Sequence, residues 1–80
     1  MKQGERNVHS YTALFEPAEE GGFVVYVPAL PGCATQGETF EEAYRNTKDA
    51  IEGYLEAARA LEEDIPLEPH GTIVARVPAG

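Results

Sequence analysis

Two spacings of apolar residues divide this chain. From Val8 to Glu16 side chains alternate: His9, Tyr11, Ala13 and Phe15 share one face, and Val8, Ser10, Thr12 and Leu14 share the other, which is the period of a strand. A second apolar run, Phe23-Val24-Val25-Tyr26-Val27, follows Pro17 to Gly22, a stretch of turn residues ending in two glycines, so the two runs read as a β-hairpin. Pro28 has no N–H for a ladder and ends the second strand. Leu30-Pro31-Gly32 then turns the chain into a short third strand from Cys33 to Gln36. From Thr39 the period lengthens. Phe40, Ala43, Tyr44, Thr47, Ile51, Tyr54, Leu55, Ala58 and Leu61 recur at steps of three and four, the apolar stripe of a helix that runs to about Glu63. Thr39 followed by Glu42 is a capping-box pattern that fixes its start. Pro66 and Pro69 forbid its continuation, and Thr72 to Val77 reads as a last strand that Pro78 stops.

The predicted order is β-β-β-α-β, an α+β fold. A meander of three strands followed by a right-handed helical crossover places the fourth strand beside the first and parallel to it. The result is a two-layer sandwich with a mixed sheet of order 3-2-1-4 and one long helix on one face. Such a helix is roughly 36 Å long, whereas strands of six to eight residues span only about 20 to 26 Å. The helix should overhang its sheet and offer Tyr54, Leu55, Ala58 and Leu61 to a partner. One helix also covers one sheet face only, which leaves Leu14, Val24, Tyr26 and Val74 on the other; both groups are expected interface residues. Against this stands the simpler arrangement in which loop residues such as Ile65 and Leu67 fold back over them.

Composition sharpens the expectation of a partner. Eighty residues make one domain, residues 1–80, with a thin core. The single cysteine, Cys33, excludes an internal disulfide and a zinc site built on cysteines, so association is the remaining aid to stability. A homo-oligomer, dimer or tetramer, is expected. Fourteen acidic against six basic side chains give a net charge of −8, which repels phosphate backbones and suits a basic protein partner instead of direct nucleic-acid binding. The longest apolar run, Phe23 to Leu30, contains Pro28 and is far too short to span a membrane, and Met1 to Arg6 lacks the apolar core of a secretory leader. The expected location is the cytoplasm.

A search for chemistry finds little. His9 and His70 stand far apart and outside any ligand spacing; they read as surface residues. Cys33 has no neighbour that would activate a thiol and reads as a small buried hydrophobe. Ser10, the only serine, has no base near it in sequence, and no phosphate-binding glycine loop or dinucleotide fingerprint occurs. Metal-dependent nuclease chemistry needs several converging carboxylates, whereas the strands supply Glu16 and the helix Asp49, with Asp64 after it. The expectation is a protein that is not an enzyme, with no catalytic residues, metal or cofactor. The acidic run Glu62-Glu63-Asp64 opposes the helix dipole, a local cost that points to a use beyond folding.

The segment from Gly22 through Pro28, Leu30, Pro31, Gly32 and Cys33, followed by Gly37, Glu38, Thr39, Phe40, Glu41, Glu42 and Ala43, resembles the HicB-like antitoxin family. Its members carry a hydrophobic strand, a Pro-x-Leu-Pro-Gly-Cys turn and a capped helix start at this spacing, and the resemblance covers about Tyr11 to Val77. The residues of the turn and cap motif are Pro28, Leu30, Pro31, Gly32, Cys33, Gly37, Thr39 and Glu42, and their evident work is structural. The resemblance implies a partially degraded ribonuclease-H-like fold without catalytic carboxylates, and a partner in HicA, a small basic mRNA-cleaving toxin. Many relatives append an operator-binding domain; no such module follows Val77 here, so no DNA-binding extension is expected. Ala29 also stands where relatives usually have an acidic residue. Two other functions stay open at this level: an oligomeric regulatory or ligand-sensing domain without a toxin, and a residual metal-dependent nuclease.

Overall fold

A computed structural model of the chain describes Ser10 to Gly80. Three short strands and one helix form it: β1 (Leu14–Pro17), β2 (Phe23–Tyr26), β3 (Ala34–Gly37) and α1 (Phe40–Ala60). The class is α+β. The sheet runs β1-β2-β3 and is antiparallel throughout, with Leu14 opposite Tyr26 and Tyr26 opposite Ala34.

The strands are shorter than the alternation predicts, for local reasons. Val8 and His9, in the first half of the expected first strand, lie outside the described residues. Tyr11 to Ala13 is described but unladdered. The register would set Thr12 against Pro28, which has no N–H, so the β1–β2 ladder cannot extend past Leu14. At the other end Pro17 faces Phe23, and Ala18 to Gly22 close the hairpin through Ala18 N–H to the Gly22 carbonyl and Gly21 N–H to the Ala18 carbonyl, both 3.0 Å.

The helix starts where the capping box places it. The Thr39 hydroxyl accepts from the Glu42 N–H at 3.1 Å, and the Glu42 carboxylate accepts from the Glu38 N–H at 2.6 Å, so the reciprocal bond reaches one residue further back than in the standard box. The helix ends at Ala60, short of the predicted Glu63. Glu62 adopts a left-handed conformation (φ 57°), while its N–H bonds the Arg59 carbonyl and the Glu63 N–H bonds the Ala58 carbonyl at 2.8 Å. This is a Schellman stop, with a glutamate where glycine is usual.

The core forms in two zones. Over the sheet the helix presents small residues, the buried Ala43 and Thr47, so that it lies close to the buried Val25. Thr47 satisfies its hydroxyl by donating to the Ala43 carbonyl at 2.7 Å. Beyond the sheet, the buried Val27, Leu30, Cys33 and Leu55 form a cluster flanked by Tyr11, Ala13, Ala50, Ile51, Tyr54 and Ile65. At 1.5 Å per residue a 21-residue helix is about 31 Å long, against about 13 Å for a four-residue strand, so an overhang does occur. It is not left bare. Ile65 returns across it, and the Tyr11 hydroxyl donates to the Pro66 carbonyl at 2.7 Å.

The fourth strand is a correction. Thr72–Val77 belongs to no strand, and the sheet has three strands in antiparallel order instead of a mixed 3-2-1-4. The Glu68 carboxylate accepts from both the N–H (2.6 Å) and the hydroxyl of Thr12, which holds the returning chain at the entrance to β1. The chain then turns, with the Thr72 hydroxyl donating to the Pro69 carbonyl at 2.9 Å. Past that turn it does not join the edge of β1.

Candidate functional site

The turn and cap motif builds the scaffold. Leu30 N–H bonds the Val27 carbonyl (3.0 Å) and Cys33 N–H bonds the Leu30 carbonyl (2.9 Å), giving two successive β-turns that meet at Leu30. Pro28 occupies the second position of the first turn and Pro31 that of the second, where a fixed φ is an advantage. Gly32 follows at φ 82°, the position of a type II turn that favours glycine. The two prolines stay exposed while Leu30, fully buried, is driven into the core between Val27 and Cys33. Burial pushes the Cys33 thiol above its ordinary pKa, which disfavours the reactive thiolate.

Gly37 has a different task. A Cβ there would stand 2.4 Å from the Ala43 nitrogen and 2.6 Å from the Ala43 Cα, so the first helical turn rests directly on its backbone. Gly22, at φ 76°, backs onto Gly37 in turn; its Cβ would meet the Gly37 carbonyl oxygen at 2.5 Å. Asn46 completes the junction by donating to the Gln36 carbonyl at 2.8 Å. The hairpin, β3 and the helix start are thus joined through backbone contact at Gly37 beside the Thr39–Glu42 cap, while Pro28 to Cys33 form the double turn that buries Leu30.

The expected interface residues separate into two groups. Leu14, Val24 and Tyr26 share the sheet face opposite the helix, since their neighbours Phe15 and Phe23 are the ones that reach the helix. Leu14 also lines an open groove with Thr12, Pro28 and Ala29 on one side and Ile73, Val74 and Ala75 on the other. Val74 therefore faces the predicted neighbour without belonging to a strand. The helix residues behave otherwise: Leu55 and Ala58 are buried, Tyr54 is half-buried against the core, and Leu61 alone of that set is exposed. Ile65 packs against the cluster that holds Leu55, as the fold-back alternative has it, while Leu67 remains exposed.

A second exposed surface was not singled out by the helical stripe. Phe15, Phe23, Phe40 and Tyr44 form an aromatic cluster, with Phe40 at ring-centroid distances of 4.8 Å from Phe15, 6.3 Å from Phe23 and 6.0 Å from Tyr44. Phe40 is 47% and Tyr44 59% exposed. Periodicity assigns both to the core face; they pack on Phe15 of the outer strand β1, and Phe40 also on Phe23 of β2, yet remain exposed. The available signal was the i,i+4 aromatic pair directly after the cap, in a turn that also carries Glu41 and Glu42. Exposed aromatic faces in an acidic chain suit guanidinium or ammonium groups.

Glu16 and Asp49 are both exposed, one on β1 and one mid-helix. Among the described residues, no group of three or more His, Cys, Asp or Glu is placed to hold a metal ion. No helix of the described residues is long and apolar enough to cross a membrane. Two ionisable groups respond to the clamp between the returning chain and the entrance to β1. Burial raises the Tyr11 hydroxyl above its ordinary value, and Glu68 is held below the usual carboxylate range by its hydrogen bonds from the Thr12 hydroxyl and N–H.

Comparison with known proteins assigns these features to a family. The family described as HicB-like antitoxin of bacterial toxin-antitoxin system matches residues 11–77. A UPF0150 protein of Synechocystis sp. is 41% identical over 63 residues, covering 79% of this chain and 80% of the relative. A UPF0150 protein of Thermoplasma acidophilum is 50% identical over 56 residues, 70% of this chain and 81% of that one. Antitoxin HicB 1 of Photorhabdus laumondii is 42% identical over 57 residues, which is 71% of this chain and 37% of the antitoxin. The match begins at Tyr11, spans the double turn, the Gly37 joint and the capped helix, and takes in the Glu68 clamp: this chain belongs to the HicB-like antitoxin family.

Proposed function

We propose that this protein is a non-enzymatic interaction module that binds and masks a small, basic, mRNA-cleaving toxin of the HicA type. The observation that carries the reading is the family match over residues 11–77, joined to the antitoxin named among its relatives. The net charge of −8 supports it, because an acidic protein captures a basic RNA-binding partner rapidly and repels the RNA itself. Masking is steric. The aromatic cluster at the helix start supplies flat anchors for cationic side chains, with the carboxylates around it steering the approach.

The same reading has the protein work in the cytoplasm on a partially degraded ribonuclease-H-like domain, as a dimer or tetramer joined through the Leu14, Val24, Tyr26 and Val74 surface. Nuclease activity forms no part of this reading, in which Glu16 on β1 and Asp49 on α1 are surface charges of a binding module. The test is co-expression with a short basic protein encoded beside it. Rescue of growth together with a stable complex supports the proposal; continued toxicity, or no complex, rejects it.

A further inference from the structure

Thr72–Val77 has the composition of a strand and the surroundings of none. Its residues are exposed, Ile73 at 83%, Val74 at 65% and Val77 at 81%, and a groove of about 490 Å³ separates it from Thr12 and Leu14 of its own sheet. Three neighbouring apolar side chains left in water on one short segment are costly to a lone chain. Close by, β1 pairs with β2 on one side, and among the described residues no strand pairs with its other edge. A donor strand and an acceptor edge therefore stand unused in the same molecule.

We propose that Val74–Val77 of one copy adds as a parallel strand to the free edge of β1 (Leu14–Pro17) in a second copy, and that the exchange is reciprocal. The register follows from side-chain chemistry. With Val74 beside Leu14, the outer face pairs Val74 with Leu14 and Arg76 with Glu16, and the face toward the helix pairs Ile73 with Ala13 and Ala75 with Phe15, small against large each time. A slip of one residue would carry Arg76 to the helix-facing side beside Phe15, so the match is specific. It also leaves Thr12 to its own Glu68.

Charge favours a second copy as the occupant. Between Glu20 and Glu38 the chain has no acidic or basic side chain, and after Glu68 it has only His70 and Arg76; apart from Glu16 and Glu68, the acidic side chains of the described residues sit on the helix, its ends and the hairpin loop. Two copies can thus meet through this edge with Arg76 opposite Glu16 and little like-charge repulsion, although each carries −8. The chain's own segment is directed elsewhere: the Glu68 clamp and the turn from Pro69 to Thr72, with Gly71 at φ 82°, send it across the groove instead of along the edge. Reciprocal exchange would complete the 3-2-1-4 sheet with the fourth strand donated by the other copy.

The inference rests on the self-association in the proposed function and is independent of the toxin. Its test is size-exclusion chromatography with light scattering on the full chain and full-chain variants. The wild type should be a dimer or a multiple of one. Ala75→Pro removes a strand N–H at an exposed position outside every element, and should give a monomer with an unchanged helical signal. Arg76→Glu should weaken the dimer about tenfold or more, and Glu16→Arg combined with Arg76→Glu should restore it. A dimer that survives Ala75→Pro overturns strand exchange while leaving self-association standing. Failure of the double variant to restore assembly overturns the register, and a wild-type monomer at high micromolar concentration overturns both self-association and the exchange.

Discussion

Two Gly→Ala substitutions, one in the Gly37 joint and one in the helix, should move stability in opposite directions. At Gly37 the added methyl meets the Ala43 nitrogen at 2.4 Å, the Ala43 Cα at 2.6 Å and the Glu42 carbonyl carbon at 2.9 Å. All three are backbone atoms, so no rotamer change relieves the clash, and comfortable contact at about 3.5 to 4.0 Å requires the helix start to shift by about 1 Å. That start is fixed by the Thr39–Glu42 cap and by Asn46 on Gln36, and Ala43 is already fully buried. Overpacking of this kind costs about 1 to 3 kcal/mol or more, offset by up to about 1 kcal/mol from the lower entropy of the unfolded alanine chain. We expect a net loss of about 2 kcal/mol, or roughly 8 to 16 °C in Tm for a domain of this size. Gly53, exposed on the helix, has no atom within 4 Å of its added Cβ. There alanine should stabilise by about 0.5 to 1 kcal/mol. Thermal and urea unfolding followed by the helical circular-dichroism signal measure both. If Gly37→Ala melts with the wild type, or if the two variants shift in the same direction, the backbone contact at Gly37 does not hold the helix.

Three further substitutions probe other parts of the account. Glu62→Gly should raise stability by about 1 kcal/mol in urea unfolding, because glycine adopts the left-handed Schellman position without strain. Leu30→Ala should cost about 2 to 5 kcal/mol, since it empties the point where both turns of the motif deliver a fully buried side chain. Glu68 has a folded pKa below its unfolded value, so its contribution is complete above about pH 4.3 and is lost as pH falls through the lower folded value. Melting temperatures measured across that acidic window should therefore fall more steeply for the wild type than for Glu68→Gln, and a parallel pair of curves would refute the clamp.

Local signals carried much of the fold. Pro28 and the Thr39–Glu42 cap act within a few residues and are found in place, whereas the alternation is laddered only from Leu14 and Pro17, read as a turn residue, closes β1 opposite Phe23. The helix end was less legible, because a Schellman stop on Glu62 lacks the glycine that normally announces it. The cluster around Leu55 is flanked by Tyr11 and by the returning Ile65, with Tyr11 bonded to Pro66, a contact spanning 55 positions that no periodicity encodes. The fourth strand shows the same limit from the other side: Thr72–Val77 has strand chemistry, yet pairing needs an edge that the clamp at Thr12 steers it past. Of the candidate surfaces, the outer sheet face followed from alternation once the hairpin register was known. The aromatic cluster did not, because Phe40 and Tyr44 satisfy the helical stripe equally well whether they are buried or left exposed over an outer strand.

The central claim is that this acidic domain neutralises a basic ribonuclease by covering it. The most direct measurement is mRNA cleavage by a purified HicA-type toxin, the proposed partner, during titration with this protein. The account predicts inhibition that is complete near a fixed stoichiometry and weakens when Phe40 and Tyr44 are both replaced by alanine. Undiminished cleavage at excess protein would contradict it.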